Sequence, residues 1–210
     1  MKKGIIFDLD GVILSTDEYH YLAWKVIADK ENIYFDRTIN NRLRGVSRMA
    51  SLDIILERAT KQYLNEEKQK LAEEKNNIYR SYLEKLTKKE VTNEIRKTLV
   101  LLKEKGYKIA IGSSSKNTRL ILSKVELLDI FDAISDGNNI KNSKPDPEVF
   151  IKASEMLNLL PSECYVVEDA YSGIDAANKG GFTSIAISDA YNYEKANIKI
   201  NSLSELLNLL

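Results

Sequence analysis

One cysteine, Cys164, stands in a chain of 210 residues. A disulfide framework within the chain is therefore impossible, and the expectation is a cytoplasmic protein. Net charge is also missing: 31 Lys and Arg balance 31 Asp and Glu. That balance gives no electrostatic reason to expect a nucleic acid or an anionic membrane as partner. No apolar run approaches the length that spans a bilayer, and the few apolar residues before Asp8 are too short for a signal-peptide core. No internal repeat and no low-complexity linker is present. Gly112 is followed by Ser-Ser-Ser and not by Gly-Lys-Ser/Thr, so the segment is not a P-loop. What remains is an ordinary globular composition, 43% hydrophobic and 8% aromatic, on a chain long enough for one domain with a smaller inserted one.

Hydrophobic periodicity divides the chain into three stretches. Gly4 to Phe7 reads as a buried strand ending at Asp8, followed by a helix from Thr16 or Asp17 to about Lys30. From there to about Glu90 no strand signal appears. Two stretches, 49–63 and 66–86, carry apolar residues at helical spacing among many Lys and Glu. After Glu90 strands and helices alternate. Strands are expected at 108–111, 132–135, 164–167 and 183–187, with helices at 94–105, 117–125, 147–157 and 173–179, and a closing helix from Ser202. Such alternation implies an α/β fold with a parallel sheet. The all-helical stretch is too long for one crossover, so it is expected to be an inserted α domain, 16–91, in a core of 1–15 plus 92–210.

In an open α/β sheet, ligands bind beyond the carboxyl ends of the strands. The residues there are Asp8 and Asp10, then Ser113 to Ser115, then Glu168 and Asp169, with Lys144 in a loop stiffened by Pro145 and Pro147. Four carboxylates at one edge repel each other unless a cation sits among them, and oxygen ligands favour Mg2+. A carboxylate can attack phosphorus and form an aspartyl phosphate. Lys144 and the Ser113 hydroxyl could then neutralise and bind the transferring group, while Asp10 gives or takes a proton. Each element alone is common in surface loops and helix caps; their joint placement after successive strands carries the reading.

These residues resemble the motifs of the haloacid dehalogenase superfamily. Asp8-Leu9-Asp10-Gly11-Val12 resembles the first, Gly112-Ser113-Ser114-Ser115 the second, Lys144-Pro145 the third and Glu168-Asp169 the fourth. The resemblance covers nearly the whole chain and implies a Rossmann-like core with an all-α cap domain. Within the superfamily, Thr16 to His20 with Trp24, and Arg44-Gly45-Val46-Ser47-Arg48, resemble the hinge, first cap helix and substrate loop of the β-phosphoglucomutase family.

The resemblance implies Asp8 as nucleophile, Asp10 as general acid and base, and Ser113, Lys144 and His20 as further catalytic residues. It implies a hinge at Thr16 and a Mg2+ site of Asp8, Asp10, Glu168 and Asp169, Asp10 through its main-chain carbonyl. It also implies substrate contacts at Gly45, Val46, Ser47, Arg48, Ser115, Lys116, Asn117, Trp24 and Lys75. Arg48 would hold the phosphate that is not reacting, and His20 would orient Asp10. The expected protein is a monomer acting on a sugar phosphate, with cap closure excluding water. Ser15 and Ala170 depart from the family pattern, in which aspartate and serine are common. A sugar-phosphate or phosphoglycolate phosphatase shares every core residue, and a non-catalytic phosphate-ligand binder would need none of them intact.

Overall fold

A computed structural model describes residues 2–43 and 46–210. The expected substrate residue Gly45 lies outside the described residues. The chain splits into two compact units, Met1–Ser15 with Leu86–Leu210, and Thr16–Lys85. In chain order the elements are β1 (Gly4–Phe7), α1 (Asp17–Lys30), α2 (Arg37–Asn41), α3 (Arg48–Leu56), α4 (Asn65–Leu83) and α5 (Asn93–Glu104). There follow β2 (Lys108–Gly112), α6 (Thr118–Lys124), β3 (Ala133–Ser135), α7 (Glu148–Met156), β4 (Cys164–Glu168), α8 (Tyr171–Lys179), β5 (Thr183–Ala186), β6 (Ile198–Lys199) and α9 (Leu206–Leu209).

The first unit is an α/β layer structure. Its sheet runs β3-β2-β1-β4-β5-β6, and every neighbouring pair is parallel. Short unbroken apolar runs such as Gly4-Ile5-Ile6-Phe7 suit a sheet buried on both faces. Ile6, Ala110 and Val166 from three neighbouring strands pack with Val149, Phe150 and Ala153 of α7 and Ala176 and Ala177 of α8. Phe7 pairs with Ile111 on one side and Val167 on the other, so Asp8 leaves the central strand level with Gly112 and Glu168. Chain order reverses direction about β1, which makes this the switch point of the sheet.

The second unit is helical. Trp24, Ile27 and Ala28 of α1 pack with Leu52 and Ile55 of α3 and Leu71 and Ala72 of α4. The buried residues of α4 are Leu71, Ala72, Lys75, Tyr79 and Leu83, one stripe at helical spacing with a lysine inside it.

Three details differ from the sequence reading. The helix expected over 49–63 stops at Leu56. Beyond it the Arg42 guanidinium grips both Glu57 oxygens at 2.7 and 2.8 Å, and the Tyr63 hydroxyl donates to Glu31. Side-chain bonds thus hold the connection where helix propensity would have continued it. α2 forms because Asp36 caps it, accepting from the Ile39 N–H at 2.8 Å while Ile39 is buried. The closing helix is a 3-10 turn, Leu203–Glu205, followed by α9, and the short β6 precedes it.

Candidate active site

Asp8 leaves β1 with its N–H bonded to the Val167 carbonyl at 3.0 Å, so its position is set by the sheet. Lys144 Nζ donates to Asp8 Oδ1 at 2.5 Å and also to Glu168 Oε1. All three side chains are nearly inaccessible to water. Glu168 Oε2 accepts from the Ala170 N–H at 3.0 Å, so both its oxygens are engaged. Its seat needs Gly173, where a Cβ would overlap the carboxylate. The Ala170 departure is met by this main-chain bond, and α8 begins without a side-chain cap.

Asp10 lies in the turn after β1, closed by the Gly11 N–H to the Leu14 carbonyl at 2.7 Å. Gly11 has φ +88° and faces the Asp169 carboxylate so closely that no Cβ fits. An alanine there would be both strained and obstructed. The loop after β2 is wound by its own polar groups. Ser113 Oγ accepts from the Ser115 N–H, Ser115 Oγ accepts from the Asn117 N–H, and Thr118 Oγ1 donates to the Ser115 carbonyl. Asn117 is buried and Lys116 is exposed.

The charges of this edge do not balance. Burial, opposed by Lys144 and reinforced by Glu168 and Asp10, raises the Asp8 carboxyl above the usual carboxylate range. Burial, then the repulsion of Glu168 and Asp8, raises Asp169 as well. Burial works against the Lys144 ammonium, but Asp8 and Glu168 outweigh it and hold its proton more firmly than usual. Carboxylates so crowded around one ammonium fit a hard divalent cation, which takes one or two carboxylates and keeps several waters. Among the described residues no three His, Cys, Asp or Glu side chains form a metal cluster. The available donors are therefore few, and Glu168 is spent on Lys144 and the main chain.

Within the helical unit a second group of expected site residues comes together. Lys75 Nζ lies 2.7 Å from His20 Nδ1. It also lies 4.9 Å from the Trp24 ring centroid and 4.6 Å from that of Tyr79. Thr16 Oγ1 is 2.9 Å from the Tyr79 hydroxyl. Arg48, the first residue of α3, donates to Asn76 Oδ1 at 2.8 Å. Ser47 caps that helix, accepting from the Ala50 N–H at 3.2 Å, and Val46 is exposed. Loss of hydration, then Lys75 and Arg48, brings His20 well below the usual imidazole value. Trp24 was expected to face substrate; it is 2% exposed and belongs to the core of this unit. Tyr79 and Asn76 were not singled out from sequence. A lysine inside the apolar stripe of α4 was the signal for Tyr79, one turn further on.

The haloacid dehalogenase-like hydrolase family model matches residues 5–187, which includes every motif described above. The chain belongs to this family. Haloacid dehalogenase-like enzymes generally require Mg2+. Among its relatives, β-phosphoglucomutase of Bacillus subtilis is 40% identical over 97% of this chain and 91% of its own. A phosphorylated carbohydrates phosphatase of Thermotoga maritima is 28% identical over 99% and 98%. The crystal structure of a β-phosphoglucomutase from Clostridium difficile superposes with a TM-score of 0.91, at 40% identity, covering 98% of this chain and 93% of that one. No helix among the described residues is long and apolar enough to cross a membrane.

Proposed function

We propose that this enzyme interconverts β-D-glucose 1-phosphate and glucose 6-phosphate through an aspartyl phosphate and a bound glucose 1,6-bisphosphate. The observation that carries the reading is the 40% identity to a β-phosphoglucomutase along 97% of the chain, helical unit included. Phospho-Asp8 gives its phosphoryl group to the sugar 6-hydroxyl, and the Asp10 carboxylate takes the hydroxyl proton. The bisphosphate turns over. Asp8 then attacks the phosphorus on the carbon 1 oxygen, and protonated Asp10 returns its proton to that leaving oxygen.

Lys144, held by Glu168, neutralises charge on the transferring group, and the Ser113 hydroxyl with the loop amides binds its oxygens. Asp8, Asp169 and the Asp10 carbonyl would hold Mg2+, which when bound supplies further charge neutralisation there. Ser115, Lys116 and Asn117, with Arg48 and the loop Gly45 to Ser47, serve the phosphate that is not being transferred. A planar guanidinium suits that grip. Thr16 acts as a hinge, His20 assists the proton transfer and Lys75 supports it.

The likeness to a carbohydrate phosphatase across nearly the full length keeps one alternative in play, release of phosphate from a sugar phosphate. One incubation separates them. The protein is given β-glucose 1-phosphate, Mg2+ and a trace of the bisphosphate, and glucose 6-phosphate is measured against free phosphate. The mutase reading expects glucose 6-phosphate in large excess. Phosphate release without isomerisation overturns it.

A further inference from the structure

The ladder between β2 and β3 does not stop where the two strands end. The Ser113 N–H donates to the Ser135 carbonyl at 3.1 Å, and the segments that follow run on side by side. The Gly137 N–H donates to the Ser115 carbonyl at 3.1 Å, and Asn138 Nδ2 donates to the Lys116 carbonyl at 3.0 Å. Thr118 Oγ1 donates to the same Ser115 carbonyl at 2.9 Å, so both lone pairs of that oxygen are used. A trans peptide is planar, with its C=O and N–H on opposite sides. Holding the Ser115 carbonyl on the Gly137 N–H therefore directs the Lys116 N–H the other way. The turn that does the holding is itself closed by side chains. The Asn139 N–H donates to the Asp136 carbonyl at 3.0 Å, the Asn138 N–H to Asp136 Oδ1 at 2.9 Å, and the Asp136 N–H to Asn139 Oδ1 at 3.0 Å. Gly137 is buried and has no room for a side chain. A Cβ there would stand 2.4 Å from the Ser114 carbonyl oxygen and 2.9 Å from the Lys116 nitrogen, both main-chain atoms.

We propose that Gly137 and Asn138, which lie outside all four motifs, are positioning residues: they set how Ser115, Lys116 and Asn117 grip a sugar phosphate, and so set the affinity for it. The inference rests on the phosphate-holding role proposed above for that segment. Residues 113–117 must connect β2 to α6, a span too short to choose its own path. Its side chains and N–H groups point where its carbonyls are tied, and the Ser115 and Lys116 carbonyls are tied to one turn. The Ser114 carbonyl lies against Gly137 Cα, so the turn also backs the end of the segment that carries Ser113. The 136–139 turn is thus a template against which the phosphate-holding loop is shaped before substrate arrives, which spares the ordering cost at binding.

The test compares substitutions in the full chain by steady-state turnover of β-glucose 1-phosphate with Mg2+, and by calorimetric titration with glucose 6-phosphate. Asn138→Leu keeps the size of the side chain, adds no charge and removes the donor. Asn138 is exposed, so the melting temperature should hardly move. KM should rise about threefold to fivefold, the worth of one hydrogen bond, with a smaller change in kcat. Glucose 6-phosphate should bind more weakly by a similar factor. Asn138→Gln, which keeps an amide donor, should recover most of that affinity. Gly137→Ala must displace main chain by about 1 Å to relieve the overlap, and kcat/KM should fall about a hundredfold. Unchanged KM and unchanged glucose 6-phosphate affinity in Asn138→Leu overturn the proposal, and so does wild-type turnover in a folded Gly137→Ala. Asn138→Leu decides the matter if Gly137→Ala fails to fold. A lowered melting temperature with KM intact would make the turn purely structural and overturn the proposal as well. If the wild type only releases phosphate while Asn138→Leu still weakens glucose 6-phosphate binding, the mutase reading fails and the positioning role stands.

Discussion

Among the described residues, each compact unit buries one lysine, and the two are surrounded differently. Lys144 meets two carboxylates, Asp8 and Glu168, at the end of the sheet. Lys75 meets an imidazole nitrogen and the faces of Trp24 and Tyr79. On the function proposed above, the first arrangement keeps charge ready for an anion, because the Lys144 ammonium can exchange a carboxylate for a phosphate oxygen. The second uses charge to orient a neutral ring. On the function proposed above, a buried cation is a reagent in one unit and a scaffold in the other, and this contrast gives ways to test both.

The largest effect should come from breaking the first. Lys144→Met leaves Asp8 and Glu168 facing each other without their cation. Removing one partner of a buried pair costs about 3–5 kcal/mol of stability, to be read from urea unfolding, and turnover should fall to background. If stability is unchanged, Lys144 does not balance those carboxylates. Arg48→Ala comes next and sharpens the division of labour. Loss of a charged hydrogen bond to phosphate costs roughly 2–5 kcal/mol, on the order of thirtyfold to several thousandfold in isomerisation. Slow hydrolysis of a simple aryl phosphate should hardly change, since that substrate has no second phosphate to hold. Equal losses in both assays would remove Arg48 from that role.

The smallest effect is the pH dependence of the scaffold. Folded His20 has its imidazole value depressed, by lost hydration first and by Lys75 and Arg48 after it. Below about 6.5 the unfolded chain binds this proton and the folded chain does not, so stability falls as pH falls, by at most about 1.4 kcal/mol per unit. Above that pH the contribution is fully present. Comparing wild type with His20→Gln between neutral and mildly acidic pH isolates it, and parallel curves would show that His20 titrates normally.

The placement of the carboxylates at the strand ends was legible in the sequence because a parallel sheet delivers each strand's next residue to one edge. Asp8, Ser113, and Glu168 with Asp169 each come at the end of a short apolar run, and Lys144 stands in a proline-stiffened loop between the second and last of them. The helical unit was less legible. An amphipathic pattern shows which face of α4 is buried but not what its one buried lysine meets there, and nothing in it singles out Tyr79. The end of α3 was missed for a related reason: Arg42 and Tyr63 hold Glu57 and Glu31, partners distant in sequence that no local window contains. Glu168 was expected as a metal ligand by type and place; the bonds that engage both its oxygens come from a lysine 24 residues away and from a main-chain amide.

The order of the sheet also dictates an order of assembly during synthesis. β1 leaves the ribosome first, yet its partners are Lys108–Gly112 on one side and Cys164–Glu168 on the other. The whole of Thr16–Lys85 is made before either partner exists, and it is continuous in sequence with its own apolar core. Vectorial translation therefore favours a nascent chain in which the helical unit can fold while the strand that ends at Asp8 hangs unpaired. Ile5, Ile6 and Phe7, fully buried in the finished sheet, spend that interval without their partner strands, which leaves the first strand open to mispairing.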